Sequence, residues 1–117
     1  MLVEIEVVGR GHRVDEKDHE RIRKRFERVG RMVSEYARLE VVLREENNPS
    51  IPDKFIAEAT LRLKGHTLHA EEHADRMEVA IKALSQDMRR QVKRHGELRR
   101  KRSQTRRLVG REKGYEA

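Results

Sequence analysis

The sequence predicts an α+β two-layer sandwich with the element order β-α-β-β-β-α. Three observations predict it. Four segments alternate apolar with polar residues, two segments repeat apolar residues every three or four positions, and a polar, basic stretch closes the chain. Four strands with one apolar face and two helices with one apolar stripe bury that surface together when both helices pack on the same side of a four-stranded sheet.

Each element follows from its own pattern. Val3, Ile5 and Val7 alternate with Glu4 and Glu6, the period of a strand with one buried face, and Gly9-Arg10-Gly11 ends it. Asp15 is placed to cap a helix whose first turn carries Glu16 and Asp18. Ile22, Phe26, Val29 and Val33 then form its apolar stripe. The opposite face of that helix collects Lys17, Arg21, Lys24, Arg28 and Arg31, diluted by Glu20 and Glu27. Ala37, Leu39, Val41 and Leu43 mark the inner face of a second strand, and Phe55, Ala57, Ala59, Leu61 and Leu63 that of a third. The stretch from Glu45 to Asp53, with Pro49 and Pro52, reads as a mobile loop between them. Lys64-Gly65 predicts a tight hairpin turn into a fourth strand, with Leu68 and Ala70 inward and Thr67, His69 and Glu71 outward. Asp75 can cap the last helix, whose stripe is Met77, Ile81, Leu84, Met88 and Val92, and Gly96 is the natural place for it to end or bend. The domain division expected is therefore an α+β domain over residues 1–96 and a basic, disordered tail over residues 97–117.

The charge is concentrated at one end. From Arg89 to Arg107 the chain has ten Lys or Arg residues against the single acid Glu97, a local charge of about +9 in a chain whose total is +7, so the remainder comes to about −2. A near-neutral body with a basic end suits a polyanion, because neutralising clustered phosphates releases condensed counterions. A membrane surface is not expected, since the tail lacks apolar anchors and nothing approaches the length of a membrane span. Two Phe, two Tyr and no Trp argue against a binder of single strands built on aromatic platforms. With no Cys and no basic leader at Met1 to Val8, a cytoplasmic location is expected.

Catalytic constellations are not legible. None of Ser34, Ser50 and Ser103 sits in a nucleophile-elbow context, and no glycine-rich phosphate loop precedes either helix. His66, His69 and His73 fall close together, yet on a strand His66 and His69 point to opposite faces, so exposed histidines rather than metal ligands are expected. The reading is a non-enzyme with no cofactor, no metal and no small-molecule substrate.

The junction Arg25-Phe26-Glu27-Arg28-Val29, then Tyr36 and Leu39-Glu40-Val41-Val42-Leu43, resembles the ribosome hibernation factors, the family of hibernation promoting factor and ribosome-associated inhibitor A, also called protein Y or ribosomal subunit interface protein. Leu68-His69-Ala70, Met77, Ala80-Ile81, Arg90-Gln91-Val92 and Arg94-His95 extend the resemblance, which spans residues 2 to 95. It implies the same element order and a short form without the C-terminal domain by which longer members pair two ribosomes. It further implies binding to ribosomal RNA in the decoding channel of the small subunit, blocking messenger and transfer RNA and inhibiting translation under stress. By position, the family's two helix-one lysines fall on Arg25 and Arg28, and its second-helix basic residues on Arg90 and Arg94. Replacing Lys by Arg keeps the charge and adds a bidentate fork for phosphate. The chain departs from the family pattern at Arg76, Glu78, Asp87 and Gly96, and the run from Arg99 to Arg107 can compensate for the basic residues missing at the last two.

The expected RNA-contacting residues are Arg25, Arg28, Lys82, Arg89, Arg90, Lys93, Arg94, Arg99, Arg100, Lys101 and Arg102. Two other functions fit less of the sequence. One is a general double-stranded RNA-binding protein, since two helices on one side of a short sheet also serve modules that read duplex shape. The other, an older label of the same family, is a protein-interaction regulator of transcription that modulates a sigma factor.

Overall fold

Alternation at Ile5 and Val7 produces strand β1 (Glu4–Arg10), which runs parallel to β2 (Arg38–Glu45) with Ile5 opposite Leu39 and Val7 opposite Val41. The structure, a computed structural model, describes the backbone of residues 4–116 and the side chains of residues 4–98; Val3 lies outside the described residues. A parallel pair needs a crossover, and two helical segments supply it, α1 (Glu16–Arg25) and α2 (Glu27–Met32). From β2 the chain meanders through β3 (Phe55–Leu63) and β4 (His66–Ala74), both pairings antiparallel, giving one mixed sheet in the order β1-β2-β3-β4. The last helix, α3 (Met77–Glu116), returns across β4 and β3.

The core is the helix-facing side of that sheet. Leu39, Val41 and Leu43 from β2, Ala57, Ala59 and Leu61 from β3, and Leu68 and Ala70 from β4 are buried under Ile22, Phe26 and Val29 and under Met77, Ile81, Leu84, Met88 and Val92. Small Ala residues at the centre of β3 and β4 let the helical layer sit close, while the larger side chains come from its flanks. This is the predicted α+β sandwich, but the first helix arrives in two segments. Phe26 leaves helical geometry at φ −94° and ψ 4°, yet its N–H still bonds the Ile22 carbonyl at 2.9 Å and its own carbonyl accepts from Gly30 at 3.0 Å. The bend therefore redirects the chain without stranding backbone groups.

Two glycines are dictated by geometry. A Cβ at Gly9 would run into the carbonyl oxygen of His12, where the chain folds back beyond β1, and Gly65 turns the β3–β4 hairpin at φ +73°. The β2–β3 loop is closed by the Glu46 N–H to Lys54 carbonyl bond at 2.7 Å, and Asn48 Oδ1 accepts from both the Ser50 N–H and the Ser50 hydroxyl. Helix α3 begins at Met77 rather than after Asp75, and it passes through Gly96 without a break.

The other side of the sheet carries no helix and is a lattice of charge. Arg44 on β2 donates to Glu58 on β3 at 2.6 Å and to Glu71 on β4 at 2.8 Å, holding together two carboxylates that face each other directly across the β3–β4 pair. Ile56, which alternation along β3 assigns to this outer face, is nonetheless buried here between its cross-strand partners Arg44 and His73. Long polar side chains cover apolar surface with their stems, which a period-two pattern does not anticipate.

Candidate nucleic-acid interface

Helix α1 is started by a reciprocal cap. Asp15 accepts the Asp18 N–H at 2.8 Å, and Asp18 accepts the Asp15 N–H at 3.3 Å. The Asp18 N–H bond favours the ionised Asp15 carboxyl and holds it below the ordinary range for aspartate. Asp18 itself is buried but satisfied, because His12 Nε2 lies 2.9 Å from its carboxylate and Arg21 lies 3.6 Å away. Arg21 also reaches Glu78 on α3 at 3.7 Å, so the start of the crossover is tied to the start of the last helix.

Beyond the bend at Phe26, α2 brings basic residues to the side of α3. With Phe26 and Val29 buried, α2 is held against α3, and Arg28, Arg31 and Met32 face Gln86, Arg89, Arg90 and Lys93 across a groove of about 450 Å³. On α3, Lys82, Gln86, Arg89 and Lys93 follow one another at helical spacings of four, three and four, which aligns them along a single stripe. Five cations thus ring one depression, with the 45% exposed Met32 at its wall.

Several of these cations keep their charge uncommitted. Among the described residues no carboxylate lies within 4 Å of Arg28, Arg89 or Lys93. Arg31 is held by Glu27 one turn earlier at 2.6 Å, and Arg90 by Asp87 at 3.9 Å, both on the exposed surface where such pairs are weak and exchange readily. A ring of close cations with few acids raises the local potential and is suited to phosphate oxygens, which accept bidentate hydrogen bonds from guanidinium groups.

Of the sequence-predicted set, Arg28, Arg89, Arg90 and Lys93 are brought together at this groove. Lys82 is exposed one turn before Gln86 on the same stripe, Arg94 is exposed beyond Arg90, and Arg25 ends α1 just before the bend; none of the three lines the groove. The side chains of Arg99, Arg100, Lys101 and Arg102 lie outside the described residues. Arg31, Met32 and Gln86 were missed. Arg31 was visible on the basic face of the first helix, but which neighbour that face would meet depends on packing between segments far apart in sequence.

The histidines have ordinary partners. His66 stacks on His95 with ring centroids 4.5 Å apart, His69 Nδ1 lies 3.2 Å from the Thr60 hydroxyl, and His73 lies 3.3 Å from Glu71. No group of three or more potential metal ligands occurs among the described residues, and no helix among them is long and apolar enough to cross a membrane.

The mixed four-stranded sheet with a cation-rich helical layer on one side defines a small α+β module whose positive charge is gathered on its helices. The chain belongs to the family described as Sigma 54 modulation protein / S30EA ribosomal protein, whose model matches residues 5–100. Two solved structures share the fold. One is a ribosomal subunit interface protein from Coxiella burnetii, 18% identical with a TM-score of 0.67, and the other is the N-terminal domain of Protein Y from Thermus thermophilus, 22% identical with a TM-score of 0.65. Each match covers 80% of this chain and 97% of the other. No curated protein matches the chain in sequence.

Proposed function

We propose that this protein is a ribosome hibernation factor: it binds ribosomal RNA of the small subunit in the decoding channel and keeps messenger and transfer RNA out by occupying their place. The observation that carries this reading is the convergence of Arg28, Arg31, Arg89, Arg90 and Lys93 on one groove between α2 and α3. Membership of a family described by a ribosomal protein supports it, as does a fold shared with a protein titled for the ribosomal subunit interface. Affinity comes from phosphate contacts and is steeply salt-dependent, and inhibition needs no bond to be made or broken. Arg25, Lys82 and Arg94 extend the contact to either side of the groove, and the basic run from Arg99 to Lys101 and Arg102 adds further phosphate contacts along the RNA. The protein acts in the cytoplasm, on ribosomes idled by stress.

Sedimentation of the full chain with separated ribosomal subunits through sucrose at several salt concentrations tests the reading. Co-migration with the small subunit at near-physiological salt, and displacement of a bound messenger, are expected. Equal or better binding to any long RNA duplex would instead make it a general duplex binder.

A further inference from the structure

Beside the cationic groove lies a second cavity, of about 580 Å³, at the end of the helical layer where α2 gives way to β2. Met32 lines both, so the two depressions are neighbours. Leu63, Val92 and Ala37 make this cavity's wall largely apolar, while Arg38, Arg62 and Lys64 stand at it as cations. Arg38 and Arg62 are paired with Glu4 at 3.5 Å and Glu40 at 3.9 Å on the exposed surface, whereas no carboxylate among the described residues lies within 4 Å of Lys64. Tyr36 belongs to the same lining and is 82% exposed, the most exposed large apolar side chain described. A ring held that far into solvent contributes little to folding and is available to a flat partner.

We infer that this cavity receives a single unpaired nucleobase of the bound RNA, stacked on Tyr36, while the neighbouring groove holds the flanking phosphates. The inference rests on the proposed RNA-binding function and extends it from charge to base stacking. Apolar walls and an aromatic ring suit the face of a base, and the cavity lies within the usual size for small-ligand sites, about 300–1,000 Å³. Cations at its edge match the phosphates on either side of an extruded nucleotide. One ring does not build a platform that tracks a strand; it holds one base. A bulge or loop next to a duplex is therefore the RNA element that fits both depressions.

The test uses the full chain and two RNA hairpins, one fully paired and one identical but for a single bulged adenosine, with affinity read by fluorescence anisotropy at near-physiological salt. The bulged hairpin is expected to bind roughly tenfold tighter, in keeping with the stacking contribution of one base on one aromatic ring. Tyr36→Ala should abolish that preference and leave the paired-hairpin affinity unchanged, and Tyr36→Phe should keep it. Equal binding of both hairpins by the unaltered chain, or a preference that survives Tyr36→Ala, overturns the inference while leaving the phosphate-binding reading standing. Failure of both hairpins to bind at any salt while small subunits are still bound overturns the inference alone; failure to bind small subunits as well overturns both.

Discussion

Arg28 on α2 and Lys93 on α3 stand on facing walls of one groove, though most of the fold separates them along the chain. Neither is within 4 Å of a carboxylate among the described residues, so both charges are offered outward. The sheet brings them together: its core face fixes α2 through Phe26 and Val29, and α3 through Leu84 and Met88.

Neutralising the groove should be read in salt dependence as well as affinity. Arg89→Gln with Lys93→Gln should lower the slope of log affinity against log salt by about 1 for each phosphate contact removed. Arg94→Gln, outside the groove, should change the slope less. Titrations of small subunits at four or five salt concentrations check this, and equal slopes for all variants would argue that the groove holds no phosphate.

Phe26 is fully buried at the bend between α1 and α2, so Phe26→Ala opens a cavity beneath the point that aims Arg28 and Arg31. A loss of about 3–5 kcal/mol is expected in chemical denaturation. Phe26→Leu, which keeps most of the volume, should cost much less and retain RNA binding.

Acid should loosen α1 first. Asp15 is held ionised by the Asp18 N–H, so its carboxyl titrates below its ordinary value of 3.8. A carboxyl with a depressed folded value stabilises the fold fully above its unfolded value and loses that contribution as pH falls through the lowered one. Stability followed by circular dichroism should therefore drop below about pH 4, and Asp15→Asn should flatten that part of the profile while leaving neutral pH less affected.

Much of this arrangement is written locally. Period-two runs such as Leu39-Glu40-Val41-Val42-Leu43 place inner and outer faces correctly because one side of each strand meets the core. The Asp15 cap is legible for the same reason: both of its hydrogen bonds lie within three residues. What was not legible depends on contacts between distant segments. The bend at Phe26 is invisible in a stripe that runs unbroken through Ile22, Phe26 and Val29, since the apolar spacing is the same with or without it. Burial of Ile56 needs the Arg44 guanidinium to span three strands, and the inclusion of Arg31, Met32 and Gln86 at the groove needs α2 to meet α3.

Gly9→Ala tests the tightest backbone approach. The new methyl would be driven into the His12 carbonyl and press on Val14, and backbone cannot yield as a side-chain tip does. A destabilisation of about 1–3 kcal/mol is expected, seen as a lower denaturation midpoint with little change in slope. Gly96→Ala, where a Cβ meets nothing within 4 Å, should be neutral or slightly stabilising to the helix.

Whether one groove between α2 and α3 binds the small subunit is read most directly in the equilibrium affinity of Arg28→Glu with Lys93→Glu for purified small subunits at near-physiological salt. Circular dichroism should show the fold unchanged, because both side chains are exposed. Binding weaker by at least about tenfold is predicted, from two lost phosphate contacts and two introduced repulsions. Affinity equal to that of the unaltered chain would mean that this groove does not hold the subunit.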